Sequence, residues 1–228
     1  MRHLIVGILA AVLLGSPAFV RADAPPASQP ALKIVVDTSE TPELKDYGDK
    51  VQKLSMEWYP IVAAKLPSDG FTPPDFVEII FDKTYKGVDY TINNRIVCAP
   101  KWFEDHPEDL GAIVHELVHV AQHYTKGKRP GWLVEGIADY IRFYSYEPPQ
   151  KRPHPNPDRA KYSDSYRTTA AFLNWATTTY DKDLVVKLNA ACRNAQYSDD
   201  LWKQYTGKAL DDLGQEWKDS LRQSGKPQ

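Results

Sequence analysis

The chain has 228 residues, 42% of them hydrophobic and 25% charged, with 28 basic side chains against 30 acidic ones and a formal net charge of −2. So even a balance offers no electrostatic footprint for nucleic acid or an anionic membrane surface. The two cysteines, Cys98 and Cys192, lie too far apart in sequence to suggest a cysteine-based zinc site.

Arg2 and His3 precede an uncharged apolar run from Leu4 to Leu14, followed by Gly15-Ser16-Pro17 and the small-residue site Val20-Arg21-Ala22. That is the pattern of a secretory signal peptide over residues 1–22, too short for a permanent membrane anchor. It predicts a secreted or periplasmic protein, monomeric, with no membrane association once the segment is removed. Residues 23–31 are Pro/Ala/Ser-rich and read as a flexible lead-in. Residues 32–228 are expected to form a single domain, with a sheet and the motif-bearing helix over 32–126 and a helical lobe over 127–228. Export would permit a disulfide between Cys98 and Cys192, a pairing the sequence leaves open.

In chain order, Leu32–Val36 reads as a short strand. From Pro42 to Leu66 apolar residues recur at helical spacing, with Pro60 expected to kink or end that helix early. Phe76–Phe81 is rich in β-branched and aromatic residues, and Val88–Ile92 and Arg95–Ala99 flank the turn pair Asn93-Asn94 as a β-hairpin. Together these predict a mixed or antiparallel sheet, with the hairpin either an ordinary core element or a cleft rim able to pair with an extended peptide. Asp105–Asp109 carries helix-start signals, and helices are expected to Tyr124, over Trp132–Tyr144, Ser163–Tyr180, Lys182–Asn194, Asp199–Tyr205 and Leu210–Ser220. Pro148–Pro157 is a proline-laden loop, either a connector or a rim of the cleft. Strands first and helices after is an α+β plan, here with a mainly helical C-terminal lobe.

Within Leu110–Ala121 the only polar side chains are His115, Glu116 and His119. A helix apolar on all sides is buried, and polar groups inside it must be satisfied. His115 and His119, four apart, share one face and can reach one ion; Glu116 is placed as general base toward an attacking water. This H-E-x-x-H spacing is that of zinc-dependent peptidases.

A catalytic zinc ion (Zn2+) needs a third protein ligand. His123 lies eight residues from His115, about 12 Å along a helix, too far to share the ion, and reads as a helix-end histidine. Thr125 stands where a metzincin would have its third histidine. Glu135 opens Glu135-Gly136-Ile137-Ala138-Asp139 on the next helix, and the two acids at that spacing repel unless a positive charge lies near them. Glu135 is therefore read as the third ligand and Asp139 as acceptor of an imidazole N–H, that of His115. Gly136 would let two helices approach closely. The competing reading pairs Asp139 with Arg142 and leaves Glu135 solvated.

The segments HELVHVAQ (115–122), GWLVEGIADYIR (131–142), SYRTTAAFLNW (165–175) and YTGKALDDLGQEW (205–217), in this order and spacing, resemble the basic secretory protein family, zinc peptidases of plants and bacteria. The resemblance implies a gluzincin-type zincin fold with the cleft between its two parts, His115, His119 and Glu135 as zinc ligands, Asp139 one turn on, and Glu116 as catalytic base. For the developing oxyanion, Tyr166 is the chosen donor, with Tyr162 and Tyr144 as alternatives. No Gly-x-Met-Glu-Asn anchor for a free amino terminus is present, which points to an endopeptidase acting on peptide or protein substrates. The rival expectation is a secreted binding or defence-type protein with a structural or inactive zinc site.

Overall fold

β-branched and aromatic residues at alternating positions form four strands: β1 (Lys33–Asp37), β2 (Phe76–Phe81), β3 (Asp89–Ile92) and β4 (Arg95–Cys98). The computed structural model describes residues 31–224, so the expected signal peptide and nearly all of the lead-in lie outside the described residues. The strands pair in the order β1-β2-β4-β3, parallel between β1 and β2 and between β2 and β4, antiparallel between β4 and β3. The sheet is therefore mixed, and the hairpin turns at Asn93 with positive φ, a conformation asparagine tolerates. Val77, Ile79, Phe81 and Ile96 bury one face of it. On β3 the pattern is inverted: Tyr90 and Ile92 are exposed, while Asp89 and Thr91 turn inward.

Between β1 and β2 runs α1 (Lys45–Lys65). Pro60 does not end the helix, which runs on to Lys65. Pro60 and Met56, whose carbonyl loses its partner, are both exposed, so water can take the lost hydrogen bond. After β4 the chain makes α2 (Pro100–Asp105), a helix not expected from the sequence, which ends at Asp105, where a helix start was expected. The motif helix α3 (Leu110–Gln122) packs on α1 and on β3, and every residue from Gly111 to Gln122 is buried except half-buried His119. Asp109 does not cap it through its side chain; it pairs instead with Arg142 at 2.5 Å. His123 ends α3 in the left-handed conformation.

Then follow α4 (Gly131–Ile141), a π-turn over Arg142–Tyr146, α5 (Tyr166–Thr179), α6 (Leu184–Arg193), α7 (Asp200–Thr206) and α8 (Leu210–Ser224). This is an α+β chain, strands before helices. Phe172, Trp202 and Trp217 fill the core of the helical part. Cys98 and Cys192 are both buried and free. No helix among the described residues is long and apolar enough to cross a membrane.

The tightest helix contact is α4 on α5. A Cβ at Gly136 would fall 2.1 Å from Thr169 Cγ2. Gly136→Ala is therefore expected to destabilise the fold by ~1–3 kcal/mol through overpacking, against a helix-propensity gain of about 1 kcal/mol. Thr169→Ser, which removes Cγ2 but keeps the hydroxyl bond to the Tyr162 carbonyl, should recover part of the loss in urea unfolding.

Candidate metal centre

Three atoms converge where α3 meets α4. His115 Nε2 and His119 Nε2 are 3.1 Å apart, and Glu135 Oε2 lies 3.2 Å from the first and 3.3 Å from the second. Zinc ligands at 2.0–2.1 Å and tetrahedral angles are separated by about 3.3–3.4 Å. The triangle matches that spacing, and two imidazoles with a carboxylate are the donor types zinc takes. Among the described residues this is the cluster whose donors could share an ion. His123 is not in it; it stands at the helix end with Nδ1 buried and unpartnered, facing the Phe71 ring at 6.1 Å.

The orientation of each imidazole is set from its far nitrogen. His115 Nδ1 donates to Asp139 Oδ1 at 2.7 Å, both residues buried. His119 Nδ1 donates to Gln122 Oε1 at 2.8 Å, while Gln122 Nε2 donates to the Val134 carbonyl at 3.0 Å, one residue before Glu135. Both Nε2 atoms are thereby turned toward Glu135, and both links also tie α3 to α4. Asp139 does not pair with Arg142, whose guanidinium is taken by Asp109 and Glu147.

The electrostatics follow from this crowding. Burial pushes the His115 pKa down, but the hydrogen bonds its ring donates to Asp139 and Glu135 outweigh it and raise it to about 10. Burial pushes Glu135 up, but His115 and His119 outweigh that and lower it to about 2. Anions gathered in this way favour a positive charge at their centre.

Glu116, 4% exposed, points from α3 toward β3, where the Thr91 hydroxyl donates to its Oε2 at 2.5 Å. Beside it lies Asp89, with Oδ2 buried and unpartnered. Burial first, and the Glu116 charge second, push the Asp89 carboxyl well above the usual range.

These groups line an open cleft of about 860 Å³, to which β3, α3, α4 and the start of α5 all contribute residues. Tyr166 lies in it, its ring stacked on that of His115 at 6.0 Å and 21°. Its hydroxyl is held protonated: the Glu135 charge, then burial, raise the phenol pKa. Ser165 and Tyr166 both have positive φ, 64° and 46°, a costly backbone for two consecutive non-glycine residues. Tyr162 instead donates to Asp211, and Tyr144 stacks on Tyr140; neither lines the cleft. Nor does Pro148–Pro157, which is a connector with a short 3-10 turn at Pro149–Lys151.

Two members of this arrangement were not singled out from the sequence. Gln122 follows His119 by three residues, one turn along the same buried helix, and that spacing was its available signal. Thr91 was signalled by the Asp-Tyr-Thr-Ile alternation of β3, polar residues on one face and apolar on the other. Which face turned inward could not be read locally.

A buried carboxylate beside a cation-attracting triad, open to a cleft, is an arrangement suited to hydrolysis. The family model described as "Peptidase of plants and bacteria" matches residues 66–217, from the end of α1 into α8. The chain belongs to that family of peptidases. Searches of curated proteins and of solved structures returned no match.

Proposed function

We propose that this chain is a secreted, zinc-dependent endopeptidase. The observation that carries the reading is the 3.1–3.3 Å triangle of His115, His119 and Glu135 atoms, spaced as a tetrahedral zinc site requires, with Glu116 on the adjoining helix position. Zinc held there would supply a Lewis acid that brings a water's pKa down toward 7 and polarises the scissile carbonyl.

The chain's own residues do the rest. Glu116, held by Thr91 on the cleft side of α3, takes the proton as water attacks the carbonyl carbon and delivers it to the departing amine nitrogen. Asp139 and Gln122 keep the imidazoles in one tautomer and aim. The Tyr166 O–H, protonated and in the cleft beside His115, donates to the developing oxyanion. β3 stands at the edge of the sheet and, apart from the Asp89 carbonyl that accepts from the Tyr85 hydroxyl at 3.4 Å, offers its outward backbone groups to an extended substrate.

Metal analysis of the purified protein should give one zinc per chain. Cleavage of a mixed peptide pool should stop on chelation and return with added zinc. Full zinc occupancy without hydrolysis of any peptide would instead establish the binding-protein reading.

A further inference from the structure

The cleft carries three arginines, and two are already committed. Arg142 pairs with Asp109 at 2.5 Å and with Glu147 at 3.6 Å. Arg129 donates to the carbonyls of Lys126, Gly127 and Tyr124. Arg167, exposed at the start of α5, has neither a hydrogen bond nor an acidic partner among the described residues. Its guanidinium carbon lies over the Phe143 ring, 5.0 Å from the centroid.

The same ring takes the Arg142 guanidinium, also at 5.0 Å. Two cations thus share one phenyl group, and only one of them is neutralised. Contact with a ring limits where a planar guanidinium can lie without consuming its N–H fork. None of the cleft's six acids forms an ion pair with it: Glu116 is bonded to Thr91, Glu135 to the histidines, Asp139 to His115, Asp109 to Arg142 and Asp164 to the Lys161 N–H, while Asp89 is buried beside Glu116. Arg167 directly follows Tyr166, whose ring covers His115, so the free charge stands on the wall next to the metal centre.

We propose that Arg167 is the subsite for a carboxylate on the bound peptide, either an acidic side chain or a free C-terminal carboxylate. The proposal deepens, and rests on, the peptidase reading. A carboxylate accepts two parallel N–H bonds from a guanidinium and relieves the like-charge pairing at Phe143.

The test uses the zinc-loaded full chain and matched peptides that carry Glu or Gln at one position, each with a C-terminal acid or amide. Wild type should show kcat/KM about tenfold or more higher for one carboxylate-bearing form, as a charged hydrogen bond warrants. A drop from Glu to Gln marks a side chain; a drop from acid to amide marks the terminus. The preference should vanish in Arg167→Gln and turn toward lysine-bearing peptides in Arg167→Glu. Equal losses for charged and neutral peptides, or no preference in wild type, would overturn the proposal. Fluorescence anisotropy of the same peptides on Glu116→Gln, with and without Arg167→Gln, reads the subsite without turnover. If wild type hydrolyses nothing, the peptidase reading fails, while this binding difference still decides for or against Arg167.

Discussion

Glu116→Gln is expected to keep the fold and the zinc while peptide hydrolysis falls about 10²–10⁴-fold, the usual contribution of a positioned general base. The side chain touches none of the three proposed ligand atoms, and its Oε2 accepts from Thr91. A glutamine fills the same volume and can still accept that hydrogen bond through its amide oxygen, so neither packing nor the hold of β3 on α3 is lost. What disappears is the ability to take up a proton. The loss should therefore fall on kcat, with KM and zinc stoichiometry close to wild type. Zinc analysis and steady-state kinetics on one cleavable peptide check both halves. A variant that lost zinc would mean that Glu116 serves the metal and that the assignment of base and ligand is wrong.

Much of this centre could be read from spacing. An all-apolar run interrupted only by His115, Glu116 and His119 has to be a buried helix, and helical geometry then decides which side chains share a face. Glu135 and Asp139 followed because a four-residue spacing of like charges on the next helix needed a cation. Elsewhere local pattern failed because the deciding contact was distant. Asp105–Asp109 looked like a helix start, yet one helix ends at Asp105, the next begins only at Leu110, and the Asp109 carboxylate is claimed by Arg142, 33 residues on. Pro60 looked like a helix breaker, and the solvent face of α1 absorbs it. Thr91 could not be tied to Glu116 before the order β1-β2-β4-β3 placed β3 at the edge against α3. Gln122 was within reach of a spacing argument, but its amide's second bond, to Val134 on α4, was not. Tyr166 was one tyrosine among thirteen, and its place over His115 depends on the positive φ angles at Ser165 and Tyr166, a backbone that sequence gives no reason to expect of serine and tyrosine.

The second large effect lies away from the cleft. Arg193→Ala is expected to cost about 3–5 kcal/mol of stability, as leaving more than one buried acceptor unpaired at about 1–3 kcal/mol each does. Arg193, on α6, is buried, with its guanidinium 3.8 Å from the Phe71 ring. It donates to the carbonyls of Ala121 at 2.9 Å, Gln122 at 3.1 Å and Leu66 at 3.1 Å, and to the Ser68 hydroxyl. Those carbonyls belong to the C-terminal ends of α3 and α1, which have no helical N–H to satisfy them. One guanidinium thus fastens both helix ends and places its charge where each helix dipole is negative. Alanine leaves several carbonyls dry, and the loss is a large share of the 5–15 kcal/mol typical of a domain. Because Gln122 also aims His119, the damage should extend to the centre: where the variant remains folded, its zinc affinity should fall about 10–100-fold, the usual effect of losing an imidazole's orienting partner. Urea unfolding with zinc titration of the folded fraction separates the two. A destabilised variant with unchanged zinc affinity would show that the end of α3 holds Gln122 without help from α6.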